Sequence, residues 1–223
     1  MKVIITGSTG MVGKGVLLVC LDDPRVDQVL VVNRSPVGIT HPKLKEVLHS
    51  DFIDLDAIKE ELKGYDATYF CLGVSAGGMS ENDYKTITYN YATTFAKAVL
   101  TENPISTFIY ISGTGTDSSE KGRLMWARVK GATENAILKM SFKHAYMFRP
   151  GLIEPKRGIQ SRTKLYRVLL KIINPLWPVL RPLLSSSLTD TDRIGKAMIN
   201  VTINGSEKTH FENREINQLA DIE

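Results

Sequence analysis

The stretch Lys2-Val3-Ile4-Ile5-Thr6-Gly7-Ser8-Thr9-Gly10-Met11-Val12-Gly13-Lys14-Gly15 decides the fold. Val3 to Ile5 form a short apolar run, the pattern of a strand buried on both faces. From Met11 onward the apolar residues Val12, Val16, Leu17 and Val19 return at helical spacing. Between strand and helix, Gly7 permits a tight turn, Gly10 lets backbone amides approach a diphosphate, and Gly13 lets the helix pack close to the sheet. The helix start adds unpaired N–H donors and partial positive charge, so Gly7 to Gly13, with Ser8, Thr9, Met11 and Val12, are candidate cofactor-binding residues. The spacing Gly-x-x-Gly-x-x-Gly is one residue looser at the front than the usual dinucleotide fingerprint. The strand–turn–helix setting therefore carries more of the reading than the glycines do.

Composition is that of an ordinary globular chain: 223 residues, 43% hydrophobic and 23% charged, which predicts one domain over residues 1–223. A net charge of +4 is too modest to point to nucleic acid, and a small-molecule substrate is expected. The two cysteines have neither a pairing pattern nor metal-ligand spacing, so no metal site is expected and a reducing compartment is. Cys20 after Leu17-Leu18-Val19 resembles the end of a lipoprotein signal, but the glycine turn interrupts the apolar region. No stretch approaches the length of a membrane span, and the expectation is a cytoplasmic protein.

Further strands are predicted at Gln28–Asn33, Lys45–Leu48, Ala67–Cys71, Thr107–Ile111 and His144–Arg149, with helices over 55–62, 84–102 and around Trp126 to Gly131. A doubly wound parallel α/β sheet follows, with ligands outside the carboxyl ends of the strands. At the end of the second strand an NAD-selective fold usually places Asp or Glu, whereas this chain has Asn33-Arg34-Ser35. Arg34 can pair with a 2′-phosphate and Ser35 can donate to it, which favours NADP over NAD. The fourth strand ends in Cys71-Leu72-Gly73, where a glycine suits close approach of backbone to cofactor. Cys71 itself reads as a packed thiol. The small-residue loop Ser75 to Ser80 lies over the same end of the sheet, and Ser112 follows the fifth strand where a catalytic hydroxyl belongs.

Thr6-Gly7-Ser8-Thr9-Gly10-Met11-Val12-Gly13 resembles the nucleotide loop of extended and atypical short-chain dehydrogenases/reductases. With Cys71-Leu72-Gly73, Lys130-Gly131 and Phe148-Arg149-Pro150-Gly151, the resemblance extends over roughly Lys2 to Leu152 and points to the branch of Tat-interactive oxidoreductase-like proteins. It implies that Asp51 and Phe52 meet the adenine, that Arg149, Pro150 and Gly151 lie at the cofactor, and that Asn90 lies near the site. Asp51 as a turn cap is the alternative. The family uses Ser, Tyr and Lys in catalysis, with Tyr-x-x-x-Lys on one helix face so that the lysine lowers the tyrosine pKa and holds the nicotinamide ribose. Here Ser112 and Lys130 are present, but Trp126 stands at the tyrosine position. Indole N–H donates a hydrogen bond and does not cycle as a proton acid near neutral pH. Lys130, Tyr110 and water remain as proton sources.

Beyond Leu152, basic residues such as Lys156, Arg162, Lys164, Arg167, Lys171 and Arg181 interleave with apolar ones through Leu180. Residues 152–188 are read as a substrate cap, with a basic amphipathic membrane or partner surface over 156–181 as the rival. Pro175, Pro178 and Pro182 prevent one continuous helix. Thr189-Asp190 reads as a helix start, and a short strand is expected at Thr209–Phe211. Two functions stand: an NADP(H)-dependent reductase or epimerase-like enzyme in which Ser112 orients a carbonyl, and a non-catalytic NADP(H)-dependent binding or regulatory protein.

Overall fold

The computed structural model describes residues 1–160 and 188–222. Strands β1 (Lys2–Thr6), β2 (Gln28–Asn33), β3 (Leu44–Leu48), β4 (Ala67–Phe70), β5 (Thr107–Ile111), β6 (His144–Arg149) and β9 (His210–Glu212) form one sheet in the order β3-β2-β1-β4-β5-β6-β9. Every pair is parallel; Ile4 of β1 stands between Leu30 of β2 and Thr68 of β4. The chain order reverses between β1 and β4, and a crevice opens at the strand ends there.

Alternation along the strands divides the core between the two faces. Val3, Ile5, Val29, Val31, Tyr69 and Phe148 pack on one face with helices α1 (Met11–Asp22) and α5 (Thr191–Asn204). Ile4, Leu30, Val32, Phe70, Phe108 and Tyr110 pack on the other with Phe95 and Val99 of α3 (Tyr91–Glu102). Helices α1 and α5 approach very closely. A Cβ on Gly15 would lie 2.4 Å from the Thr191 Cβ, and one on Gly195 would lie 2.8 Å from the Val19 Cβ.

Two helices differ from the sequence reading. The expected helix over 55–62 is a 3-10 helix, Asp56–Leu62. The expected long helix from Tyr84 instead begins at α2 (Glu81–Lys85), whose cap is Ser80 accepting from the Asp83 N–H at 3.1 Å. It then passes through a π-helical turn, Thr86–Asn90, before α3. Threonine hydroxyls bond to backbone carbonyls here, Thr86 to Asn82 at 3.0 Å and Thr93 to Tyr89 at 2.8 Å, a pattern that bends helices. The helix bearing Trp126 is α4 (Met125–Leu138).

Near the carboxyl end, Asp190 caps α5 by accepting from the Arg193 N–H at 2.8 Å. Strand β9 precedes α6 (Asn213–Ala220). Two three-residue strands that the sequence does not announce, β7 (Leu152–Glu154) and β8 (Leu188–Asp190), pair in parallel as a second small sheet. Most of the cap expected over 152–188, and Arg162, Lys164, Arg167, Lys171 and Arg181 with it, lies outside the described residues.

Candidate functional site

A cleft of about 600 Å³ lies at the carboxyl ends of β1, β2 and β4. Its wall contains Gly7, Thr9, Gly10, Met11 and Val12 from the first loop, Asn33, Arg34 and Ser35 from the end of β2, and Cys71, Leu72 and Gly73 from the end of β4. Three segments far apart in sequence, each read as cofactor-binding, therefore meet in one crevice. Val32, Val74 and Ser75 complete the lining.

Close packing fixes the first loop. Gly7 has φ +68°, and a Cβ there would lie 2.6 Å from the Leu72 N, so both conformation and clearance require glycine. A Cβ on Gly13 would lie 2.3 Å from the Gly7 carbonyl oxygen; this glycine lets α1 close on its own loop. The first helical hydrogen bond from α1 runs from the Lys14 N–H to the Gly10 carbonyl at 2.9 Å. The Met11, Val12 and Gly13 amides before it have no acceptor within the helix, and the first turn carries no acidic side chain. These features fit a diphosphate.

Ser8 and Gly13 lie behind the cleft wall. Ser8 is fully buried, and its Oγ accepts from the Asn33 Nδ2 at 2.8 Å, tying the loop to β2. Asn33 also donates to Glu46 Oε1 at 3.3 Å, which leaves Arg34 and Ser35 as the exposed polar groups at the rim. Among the described residues no carboxylate pairs with Arg34, whereas Arg128 is held by one and Arg149 and Arg157 by two each. Burial pushes the Cys71 thiol up to about 12, which keeps it a neutral thiol in the cleft wall.

Asp51 and Phe52 are not on the wall of the cleft. The Asp51 carboxylate caps its turn, accepting from the Ile53 N–H at 2.8 Å. Phe52 is fully buried and stacks on Tyr91 with ring centroids 5.8 Å apart. Asn90 sits at the end of the π-helical turn, half-buried.

A second cluster forms where β5, β6 and α4 meet. Ser112 is buried, and its hydroxyl donates to Glu134 Oε1 at 2.5 Å, with the Phe148 carbonyl oxygen 3.2 Å away. Arg149 Nε donates to the same Oε1 at 3.0 Å, and its Nη2 donates to Glu134 Oε2. Lys130 Nζ donates to the Ser112 carbonyl oxygen. Burial lowers the Lys130 pKa to about 8, opposed by the nearby Glu134 charge. The next residue, Gly131, lies where any Cβ would fall 1.8 Å from the Asp117 carbonyl oxygen, so the loop after β5 rests directly on α4. Trp126 is half-buried, with Cη2 beside Gly115 of that loop. The Pro150 carbonyl accepts from the Thr114 N–H at 3.1 Å, and the Gly151 N–H donates to Asn213 Oδ1 at 3.0 Å; both brace the turn after β6.

Two expectations change here. Ser112 has its one hydroxyl proton engaged by Glu134, so in this arrangement it does not orient a substrate carbonyl by donating to it. Tyr110 is 2% exposed inside the core, and burial pushes its phenol far up, which removes it as a proton source. Sequence reasoning missed Glu134. The signal was available, because Trp126, Lys130 and Glu134 recur every four residues and share one face of α4.

The sheet order and the cleft at its switch point define a Rossmann-type dinucleotide-binding protein. The chain belongs to the NAD dependent epimerase/dehydratase family, whose signature matches residues 3–120. It is 32% identical to "Protein FMP52, mitochondrial" of Debaryomyces hansenii over 161 residues, 70% of this chain and 69% of that one. The protein of the same name in Candida albicans is 27% identical over 70% of this chain and 69% of its own. Among solved structures, a UDP-N-acetylglucosamine 4-epimerase from Methanobrevibacter ruminantium superposes with a TM-score of 0.69 at 16% identity, covering 94% of this chain and 74% of that one. A short-chain dehydrogenase family protein from Francisella tularensis gives 0.64 at 14% identity, covering 96% and 98%. At such identities these likenesses establish the fold alone, and the family match over residues 3–120 is what bears out the resemblance read from the sequence. The cytoplasmic expectation is corrected, because the curated relatives are named mitochondrial. Two unpaired cysteines argue only for reducing conditions, which do not single out the cytoplasm.

Proposed function

We propose that this chain is an NADP(H)-binding member of its family that works chiefly by holding the dinucleotide and reduces free carbonyl substrates slowly. The Ser112 hydroxyl engaged by the buried Glu134 carboxylate, together with a tryptophan at the usual tyrosine position, carries this reading. The first-loop amides and Gly10 would take the diphosphate, Arg34 and Ser35 the 2′-phosphate, and Lys130 the nicotinamide ribose. A bound nicotinamide supplies hydride chemistry. What this chain adds on the proton side is reduced to the Lys130 ammonium. A reductase in which Lys130 is the proton donor is the second reading, favoured by its lowered pKa of about 8.

Cofactor preference tests the binding half directly. Calorimetric titration is expected to show NADPH binding at least about tenfold more tightly than NADH, a difference of about 1.4 kcal/mol, with Arg34→Ala removing most of it. Equal affinities in the natural protein would defeat the Arg34 assignment.

A further inference from the structure

Glu134 is fully buried on α4 and is the hub on which side chains from the end of β5, the end of β6 and the start of β9 converge. From β5 comes the Ser112 hydroxyl, and from β6 comes Arg149 with both Nε and Nη2. From β9 comes His210, whose buried Nε2 lies 3.6 Å from Glu134 Oε2 and has no hydrogen-bond partner among the described residues. Glu212, also on β9, faces Arg149 Nη1 at 3.9 Å. One turn earlier on α4, Lys130 places its ammonium on the carbonyl oxygen of Ser112.

We infer that Glu134 is a positioning residue for Lys130: by gripping the Ser112 side chain and Arg149 it fixes the Ser112 carbonyl that receives the Lys130 ammonium, and its charge keeps that ammonium protonated. The inference rests on the reading of Lys130 as the ribose-holding residue of an NADP(H) site. It assigns a role to a carboxylate outside the Ser, Tyr and Lys positions. Without the carboxylate, an enclosed ammonium keeps its desolvation cost and loses the one negative charge that opposes it. The remaining neighbours titrate elsewhere: burial moves Tyr110 far above the lysine and His210 below its ordinary value. A titration near pH 8 at this position therefore belongs to Lys130.

The test follows the Lys130 13Cε resonance against pH in the cofactor-free protein, assigned by its loss in Lys130→Met. The natural protein is expected to titrate near pH 8, and Glu134→Gln lower by about half a pH unit or more. Should Glu134→Gln fail to fold, Glu134→Leu/Arg149→Met is compared with Arg149→Met, so that only the carboxylate differs, and the double variant is expected to have the lower midpoint. An unchanged midpoint in a folded variant would overturn the inference. NADPH affinity supplies the second arm. In Glu134→Gln it is expected to match the natural protein at pH 6.5 and to fall at least about threefold relative to it at pH 8.5, where fewer variant molecules keep the ammonium. Failure of the natural protein to bind NADPH at any pH would overturn the proposed function, while the resonance titration still decides the role of Glu134.

Discussion

Trp126→Tyr is expected to raise NADPH-dependent reduction of a panel of quinones, aldehydes and ketones by on the order of 10²-fold, the low end of what a positioned acid–base group contributes. Residues 126 and 130 lie one turn apart on α4, so a phenol at 126 would share a face with the Lys130 ammonium, which lowers its pKa. The indole now there lies beside Gly115, and a smaller phenol would also leave room for a substrate. In the natural protein, any slow rate that depends on the Lys130 proton should fall as pH rises through about 8, because the reactive species is the protonated amine. Steady-state assays of the natural protein, Trp126→Tyr and Lys130→Ala decide the matter. A brisk natural rate indifferent to Lys130→Ala would place the chemistry elsewhere. No gain in a tyrosine variant that still binds NADPH would favour a purely binding role.

Glu134→Ala is expected to cost about 3–5 kcal/mol of stability, the range for breaking a buried ion pair from one side. The glutamate is fully buried and the Arg149 side chain is only 15% exposed, so the arginine would keep its charge without a partner, and the Ser112 hydroxyl would lose its acceptor. Replacing both partners by apolar residues of similar size should cost far less, because no charge is then stranded. Urea denaturation of Glu134→Ala and of Glu134→Leu/Arg149→Met measures the contrast. Equal losses in the two would show that packing, not the uncompensated charge, dominates.

How legible each part was depended on whether the determining interaction is local. The strand, turn and helix of residues 2–22 carry their own signals, a buried apolar run, glycines at fixed places and a helical repeat, and all three form as read. So do β2, β5 and β6, whose bounds match the expected ones. The break at Thr86–Asn90 was not legible, because the apolar spacing of Tyr91, Phe95 and Val99 continues a helix whether or not threonine hydroxyls bend it. Strands β7 and β8 are three residues long and pair across a wide gap in sequence, too short for any period to register. At the site, the segments ending at Gly13, Ser35 and Gly73 were each readable alone, and the crevice they share follows from the parallel order of the strands. Phe52 shows the opposite case: a position that resemblance places beside the adenine holds a ring buried against Tyr91, where aromatic packing fixes it. The engagement of Ser112 depended on a partner 22 residues away: the four-residue repeat marks Glu134 on the face of α4, and only the packing of that helix against the sheet brings it to the hydroxyl.

Hydrogen exchange of the natural protein with and without saturating NADPH tests the site itself. If the crevice at the ends of β1, β2 and β4 holds the dinucleotide, slowed exchange should concentrate in residues 7–13, 33–35 and 71–75, the segments that line or underlie it. Unchanged exchange in all three segments at saturating NADPH, or protection centred on another part of the chain, would contradict the account.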